Sequence, residues 1–358
     1  MHILDNQEIY LNNFFNLNKK TKMISFISPA LNKARNKFNQ IVGDGKSDKK
    51  DELFKSMIDK IDRDYLYLSY RMVCEWIENS KKYSYFKFKH EHGKTRKRVY
   101  LSIACIIKDE AEYIEEWLDF YLSQGVERFY IFDNDSTDQI KEVLKKYIEK
   151  EQVVYIYFPG KKVQLTAYTY AAHLFKNETF WMAFLDADEF MFSPQKRKLN
   201  EVLMDYEAYP GVGVNWVGYG TGGHKTKPEG KLIENYFDTF EDENNVFNLR
   251  IKSVVQPSEV LMIPSPHYCV YRKRKLAVSE DRNEITNYTM IVPGKGFAFT
   301  AVNHRSILRI NHYWTKSEEE FLKKCSRGYP DGTINPDFEK GMERFNYPMK
   351  RDDSILHI

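Results

Sequence analysis

Cysteine is scarce and scattered. The chain has four in 358 residues, Cys74, Cys105, Cys269 and Cys325, with no C-x-x-C pair among them. That spacing indicates neither a zinc knuckle nor a disulfide framework, and it fits a reducing compartment. No run of about 18 apolar residues is present to cross a bilayer. The first twenty residues mix Asp, Asn and Lys among apolar ones, so they lack the uninterrupted core of a signal peptide. An excess of one charge is missing too: 54 Lys+Arg stand against 51 Asp+Glu. Such balance argues against a dedicated nucleic-acid binder. The expectation is a cytoplasmic protein, soluble or peripheral at the inner face of a membrane.

Three motifs are also absent. No G-x-G-x-x-G follows the first buried strand pattern, which removes the usual nicotinamide site. No G-x-S-x-G elbow supplies a hydrolase nucleophile. The glycine-rich stretch 218–225 lacks the G-K-[ST] ending of a phosphate loop. It reads instead as a loop bordering a cleft, with Trp216 and Tyr219 offering flat surfaces for stacking.

What is present falls into three parts: a helical extension over 1–98, a main domain over 99–328 and a tail over 329–358. In the first, apolar positions from Ile24 to Ile41 recur at helical spacing beside Lys33, Arg35 and Lys37, giving a basic amphipathic helix. Such a helix docks on its own protein, on a second subunit or on an anionic membrane. The main domain opens on the apolar run 99–107, long enough for a central strand. A helix capped by Asp109, a strand at 128–132, a helix after Asp138, a strand at 153–158, a helix at 163–176 and a strand at 180–185 follow. Strands alternating with helices imply a mostly parallel sheet, covered on both faces, with right-handed crossovers. Shorter strands follow at 212–217, 248–255, 260–263 and 307–310.

In such sheets ligands sit beyond the carboxyl ends of the strands. That rule gathers Lys108-Asp109-Glu110, Asp133-Asn134-Asp135 and Asp186-Ala187-Asp188-Glu189 on one edge. If the chain stays extended past residue 185, Asp186 and Asp188 point the same way and two like charges call for a cation. A strand-ending turn is the alternative, since Asp is common in turns. Near the end, Ser317 and Glu320 form a capping box that opens a helix. Lys316, Lys323 and Arg327 fall roughly on one face of that helix, as a diphosphate grip or a solvated basic surface. His312, just before, is a possible metal ligand or a buried hydrogen-bonded histidine; imidazole leans toward manganese.

In their order and spacing, Lys108-Asp109-Glu110, Asp133-Asn134-Asp135-Ser136-Thr137-Asp138, Gln164, Asp186-Ala187-Asp188-Glu189-Phe190, Asn311-His312-Tyr313 and Lys316 to Arg327 resemble the GT-A glycosyltransferases. The likeness is closer to family 92 and to bacterial relatives of family 2. The resemblance covers about residues 99–328. It implies a GT-A fold, a Rossmann-like α/β domain, and a metal-dependent inverting transfer of a hexose. The donor is a nucleotide-sugar, expected to be a UDP-hexose, and the acceptor a saccharide or lipid-linked glycan.

Under it Lys108, Glu110, Asp133, Asn134, Asp135, Gln164, Asp186, Lys316 and Arg327 bind the nucleotide-sugar. Asp186, Asp188 and His312 hold Mn²⁺ or Mg²⁺, and Trp216, Tyr219, His224 and His267 face the acceptor. A carboxylate must take the acceptor proton; Glu234 is the first choice, with Glu189 and Asp238 behind it. The abundance of Lys, Asn, Ile and Tyr hints at a bacterial setting such as lipopolysaccharide or capsule assembly. A metal-dependent phosphoryl-transfer enzyme and a non-catalytic glycan-binding module are the competing readings.

Overall fold

The computed structural model describes residues 98–160, 162–285, 298–327, 338–343 and 347–358. All of them belong to one compact unit spanning residues 94–358. Apart from Arg98, the helical extension expected over 1–98 lies outside the described residues, as do Cys74 and the basic amphipathic helix.

The apolar run at the start of the domain becomes β1 (Val99–Ile107), buried along nearly its whole length. Asp109 does not cap the following helix, as the sequence suggests; it adopts a left-handed φ of 52°, and α1 (Ile114–Ser123) begins five residues later. Then come β2 (Arg128–Asp133), α2 (Ile140–Glu149), β3 (Val153–Tyr157), α3 (Gln164–Leu174) and β4 (Thr179–Phe184). The chain does not continue extended past β4. It turns at Ala187 and Asp188 and leaves as β5 (Glu189–Phe192), a strand the sequence reading did not anticipate. After α4 (Leu199–Met204) follow β6 (Gly211–Gly218), β7 (Asp238–Phe240), β8 (Ile251–Val255), β9 (Val260–Ser265), β10 (Tyr268–Tyr271) and β11 (Arg309–His312). The chain finishes with α5 (Glu318–Arg327), α6 (Phe338–Glu343) and β12 (Met349–Arg351).

An eight-stranded sheet of order β3-β2-β1-β4-β8-β6-β11-β5 forms the centre. β1 to β4 pair in parallel, as do β6 and β11, whereas β8 and β5 run against their neighbours. The expected Rossmann-like half is therefore present, joined to a mixed half. Strand order grows outward from β1 through β2 to β3, then α3 returns the chain to the other side of β1. The reversal between β1 and β4 is a topological switch point, where open α/β sheets bind ligands. Register brings the rest of the edge into line. Asp133 pairs with Ile107 on one side and Tyr157 on the other, and His312 pairs with Gly218 and Glu189. Trp117, Tyr121, Phe129, Trp181 and Phe190, all fully buried, fill the core beneath.

Candidate active site

Asp186 stands at the switch point. Its Oδ1 accepts hydrogen bonds from Gln164 Nε2 and Tyr168 Oη, both from α3 and both at 3.2 Å. Its Oδ2 accepts one from Lys252 Nζ at 2.7 Å. Lys252 projects from β8 with its side chain 1% exposed, and its Nζ also lies 3.3 Å from Glu189 Oε2. The Asp186 N–H donates to that same Glu189 oxygen at 2.9 Å. Burial works against a charge on Lys252, but Asp186 and Glu189 outweigh it and hold the ammonium well above its ordinary range. Burial pushes the Glu189 carboxyl well up against the pull of Lys252, with Asp186 and Asp188 adding to the rise.

Because of the turn, Asp188 faces a different cation. Its Oδ2 accepts from Lys324 Nζ at 2.7 Å, and its Oδ1 lies 3.4 Å from His312 Nε2. The His312 ring is wedged beside Trp216, centroids 4.2 Å apart, and stacks on Phe247. Burial would raise the Asp188 carboxyl, but Lys324 and His312 outweigh it and hold it well below the usual range. Burial lowers the His312 imidazole, with Asp188 opposing. Lys324 also donates to the Trp314 carbonyl at 3.0 Å.

The expected metal set is only partly brought together. Asp186 has its two oxygens turned to Gln164, Tyr168 and Lys252, and among the described residues no group of three His, Cys, Asp or Glu converges to hold a metal. Asp188 and His312 remain as a fitting pair: oxygen and nitrogen ligands each about 2.0–2.3 Å from a shared ion lie roughly 3 Å apart, close to the observed spacing.

The residues expected to bind the nucleotide-sugar are bonded largely to one another and to their neighbours. Asp133 is buried, with Oδ1 accepting from the Ser136 N–H and Oδ2 from Tyr155 Oη, so it fixes the turn and has no oxygen turned outward for a ribose. Asn134 donates to the carbonyls of Phe158 and Gly160 and ties β2 to the loop after β3. Asp135, at a left-handed φ of 63°, is the exposed member, bonded to Tyr157 Oη. Lys108 donates to the carbonyls of Asn134 and Asp135. Lys316 lies 3.5 Å from Glu110 Oε2 and over the Tyr113 ring. Lys323 points away, exposed and paired with Glu319; the side chain of Arg327 is outside the described residues.

Trp216 and Tyr219 are buried, one against His312 and the other bonded through its hydroxyl to Arg309. They are therefore core residues behind the site and not stacking surfaces for an acceptor. His267 is turned inward, its Nδ1 3.0 Å from the Ile251 carbonyl. His224 is half-buried, with Nε2 3.1 Å from the Asn235 carbonyl. Gly218 ends β6, where a Cβ would meet the Phe247 ring at 2.5 Å. The following residues are pinned by bonds from the Tyr219 N–H to the His312 carbonyl and from the Gly220 N–H to the Asp238 carbonyl. The turn at Gly222 and Gly223, both at positive φ, projects outward.

Of the three base candidates, Glu189 is fully buried and excluded by its enclosure. Glu234, in a short 3-10 turn, is half exposed and lies 3.4 Å from Lys231. Asp238 lines an open cavity of about 400 Å³ together with Gly220, Thr221 and Met349.

Lys252 and Lys324 were not singled out from sequence. The signal for Lys252 was a lone lysine within the apolar run Ile251–Val255. Lys324 lies three residues after Phe321, the fully buried residue of α5, and so on its inner side.

A glycosyltransferase family 92 protein of rice (Oryza sativa subsp. japonica) is 30% identical over 119 residues, 33% of this chain and 20% of the relative. One from Arabidopsis thaliana is 27% identical over 169 residues, 44% of this chain and 28% of the relative. The matches thus span under a third of those relatives' length. Among solved structures, S. aureus TarS in complex with UDP superposes with a TM-score of 0.31 at 14% identity, over 45% of this chain and 47% of that one. Glucosyl-3-phosphoglycerate synthase of Mycobacterium tuberculosis, in complex with Mn²⁺, UDP and glucosyl-3-phosphoglycerate, gives 0.28 at 13% identity, over 45% and 58%. The model of Glycosyltransferase family 92 matches residues 97–333, well over half of the sequence, and the chain belongs to that family.

Proposed function

We propose that the protein is a metal-dependent, inverting glycosyltransferase that moves a hexose from a UDP-hexose to a saccharide or lipid-linked glycan. The observation that carries the reading is the convergence of Asp188 and His312, 3.4 Å apart, on the ligand-binding edge of the sheet. These two residues would hold Mn²⁺ or Mg²⁺, with the diphosphate completing the shell. The cation supplies stabilisation of the charge that grows on the nucleoside diphosphate as the anomeric bond breaks.

The chain's own residues do the rest. Asp186, fixed by Gln164, Tyr168 and Lys252, presents a partly exposed carboxylate to the ribose or sugar, and Lys316 at the mouth meets the diphosphate. Asp135 and Lys108 border the nucleotide. Asp238, the candidate that faces an open cavity, takes the proton of the acceptor hydroxyl, the base that inversion requires. The setting is glycan assembly in the cytoplasm, which the scattered spacing of the cysteines suits.

The reading is tested by hydrolysis of a UDP-sugar panel with and without EDTA, in the wild type, Asp188→Asn and Asp238→Asn. Loss of turnover on chelation and in both variants is expected, by about a hundredfold or more for the general base. Equal turnover after chelation would overturn the metal role, and full activity of Asp238→Asn would remove it as the base.

A further inference from the structure

Two lysines meet the acidic loop, and they differ in a way that suggests a function for one. Lys252 is sealed between Asp186 and Glu189 with 1% exposure. Lys324 reaches Asp188 from α5, is 18% exposed, and also donates to a backbone carbonyl, that of Trp314. A divalent cation on Asp188 Oδ1 and His312 would share that carboxylate with Lys324, which holds its other oxygen, Oδ2, at 2.7 Å. Two positive centres at such separation repel strongly in a partly buried site. A lysine has a flexible four-carbon stem and three donors that can be redirected, whereas the enclosed Lys252 has nowhere to go.

We propose that Lys324 is the resident counter-cation of the donor site. In the empty protein it neutralises Asp188; on arrival of a divalent cation it leaves that carboxylate, pivots on the Trp314 carbonyl and turns its ammonium to the diphosphate. Metal binding without nucleotide is then weak, because the ion must displace an ion pair. Nucleotide restores the balance by offering Lys324 the diphosphate in place of Asp188, so metal and diphosphate each tighten the other by the same factor. The inference rests on the donor-site reading above but assigns a residue and a coupling that reading does not contain.

The test is binding of Mn²⁺ followed by electron paramagnetic resonance of the free ion, with and without UDP. It uses the full chain as wild type, Lys324→Met, Lys324→Gln and Lys324→Arg. Without UDP, both neutral variants should bind Mn²⁺ more tightly, on the order of tenfold, because a like charge has been removed from the site. In them the tightening of Mn²⁺ by UDP should shrink, while Lys324→Arg stays near the wild type. Thermal melts of the variants report whether α5 stays folded. Neutral variants that are folded and bind Mn²⁺ no more tightly than the wild type overturn the proposal. So does tightened binding that survives addition of Asp188→Asn, since the ion would then sit elsewhere. A wild type that binds no UDP in the presence of Mn²⁺ defeats the donor-site reading instead, and the UDP-free comparison still decides whether Lys324 competes with the ion.

Discussion

At the scale of single residues, the two aspartates of the acidic loop face distinct cations, Asp186 facing Lys252 and Asp188 facing Lys324, and Glu189 shares Lys252. Lys252 is the internal one, and replacing it by Met leaves Asp186 without its ion pair beside a buried Glu189. Losing one partner of a buried pair costs about 3–5 kcal/mol, so Lys252→Met should lower the urea-unfolding free energy by that order. Glu189 is pushed toward its protonated form. Glu189→Gln should therefore cost under about 1 kcal/mol, as a near-isosteric change at a neutral group. Equal losses in the two variants would show that Glu189 is ionised.

A second residue-scale consequence concerns pH. Burial lowers the imidazole of His173 to about 4, and that of His267 is lowered in the same direction. The unfolded chain, with histidine near its ordinary value of about 6.5, takes up these protons first as pH falls. Stability is thus complete above about pH 6.5 and declines toward pH 4, with about 3 kcal/mol from His173. His173→Leu should flatten part of that slope in urea titrations at pH 7 and pH 4.5; an unchanged slope would mean His173 is protonated in the fold.

Among the elements, α5 determines where Lys324 sits. Ser317 and Glu320 make the predicted capping box, with the Ser317 N–H to Glu320 Oε2 at 3.1 Å and the Glu320 N–H to Ser317 Oγ at 3.3 Å. Glu320 also accepts from the hydroxyls of Tyr113 and Tyr236, which joins the start of α5 to the region before α1. Ser317→Ala should cost about 1 kcal/mol, as loss of an N-cap does, measured by urea unfolding; no loss would mean the Tyr contacts alone fix the helix. This cap could be read from sequence because its signal is local. So could β1 to β4 and the helices between them, whose periodicity is carried by contiguous residues. β5 was not legible: four residues become a strand only by pairing with β11, more than a hundred positions later. That pairing also turns the chain between Asp186 and Asp188, and so it undid the expectation that both carboxylates point one way. Lys252 was hidden for a related reason, because its partners lie on β4's loop, and a lone lysine in an apolar strand does not name its carboxylate.

Over the whole molecule, the residues beyond the family match are part of the fold and reach toward the site. β12 pairs with β7, Ile355 is buried, and Asp352 lies 2.9 Å from Arg309 of β11. Arg309 also donates to Tyr219 Oη at 2.8 Å and to Asn311 Oδ1 at 2.7 Å. The end of the chain is thereby tied to the strand that carries His312 and to the start of the glycine-rich turn. Burial pushes the Asp352 carboxyl up, but Arg309 and bonds from Ser354 outweigh it and hold it below its ordinary value. Asp352→Asn leaves the Arg309 charge without its acid in a largely buried place, a loss of about 3 kcal/mol. Because β11 is the element affected, the damage should extend to function: UDP affinity in the presence of Mn²⁺ should fall along with stability, and amide exchange should quicken in β7 and β11. Lost stability with undiminished UDP affinity would show that the end of the chain supports the fold without holding His312 in place.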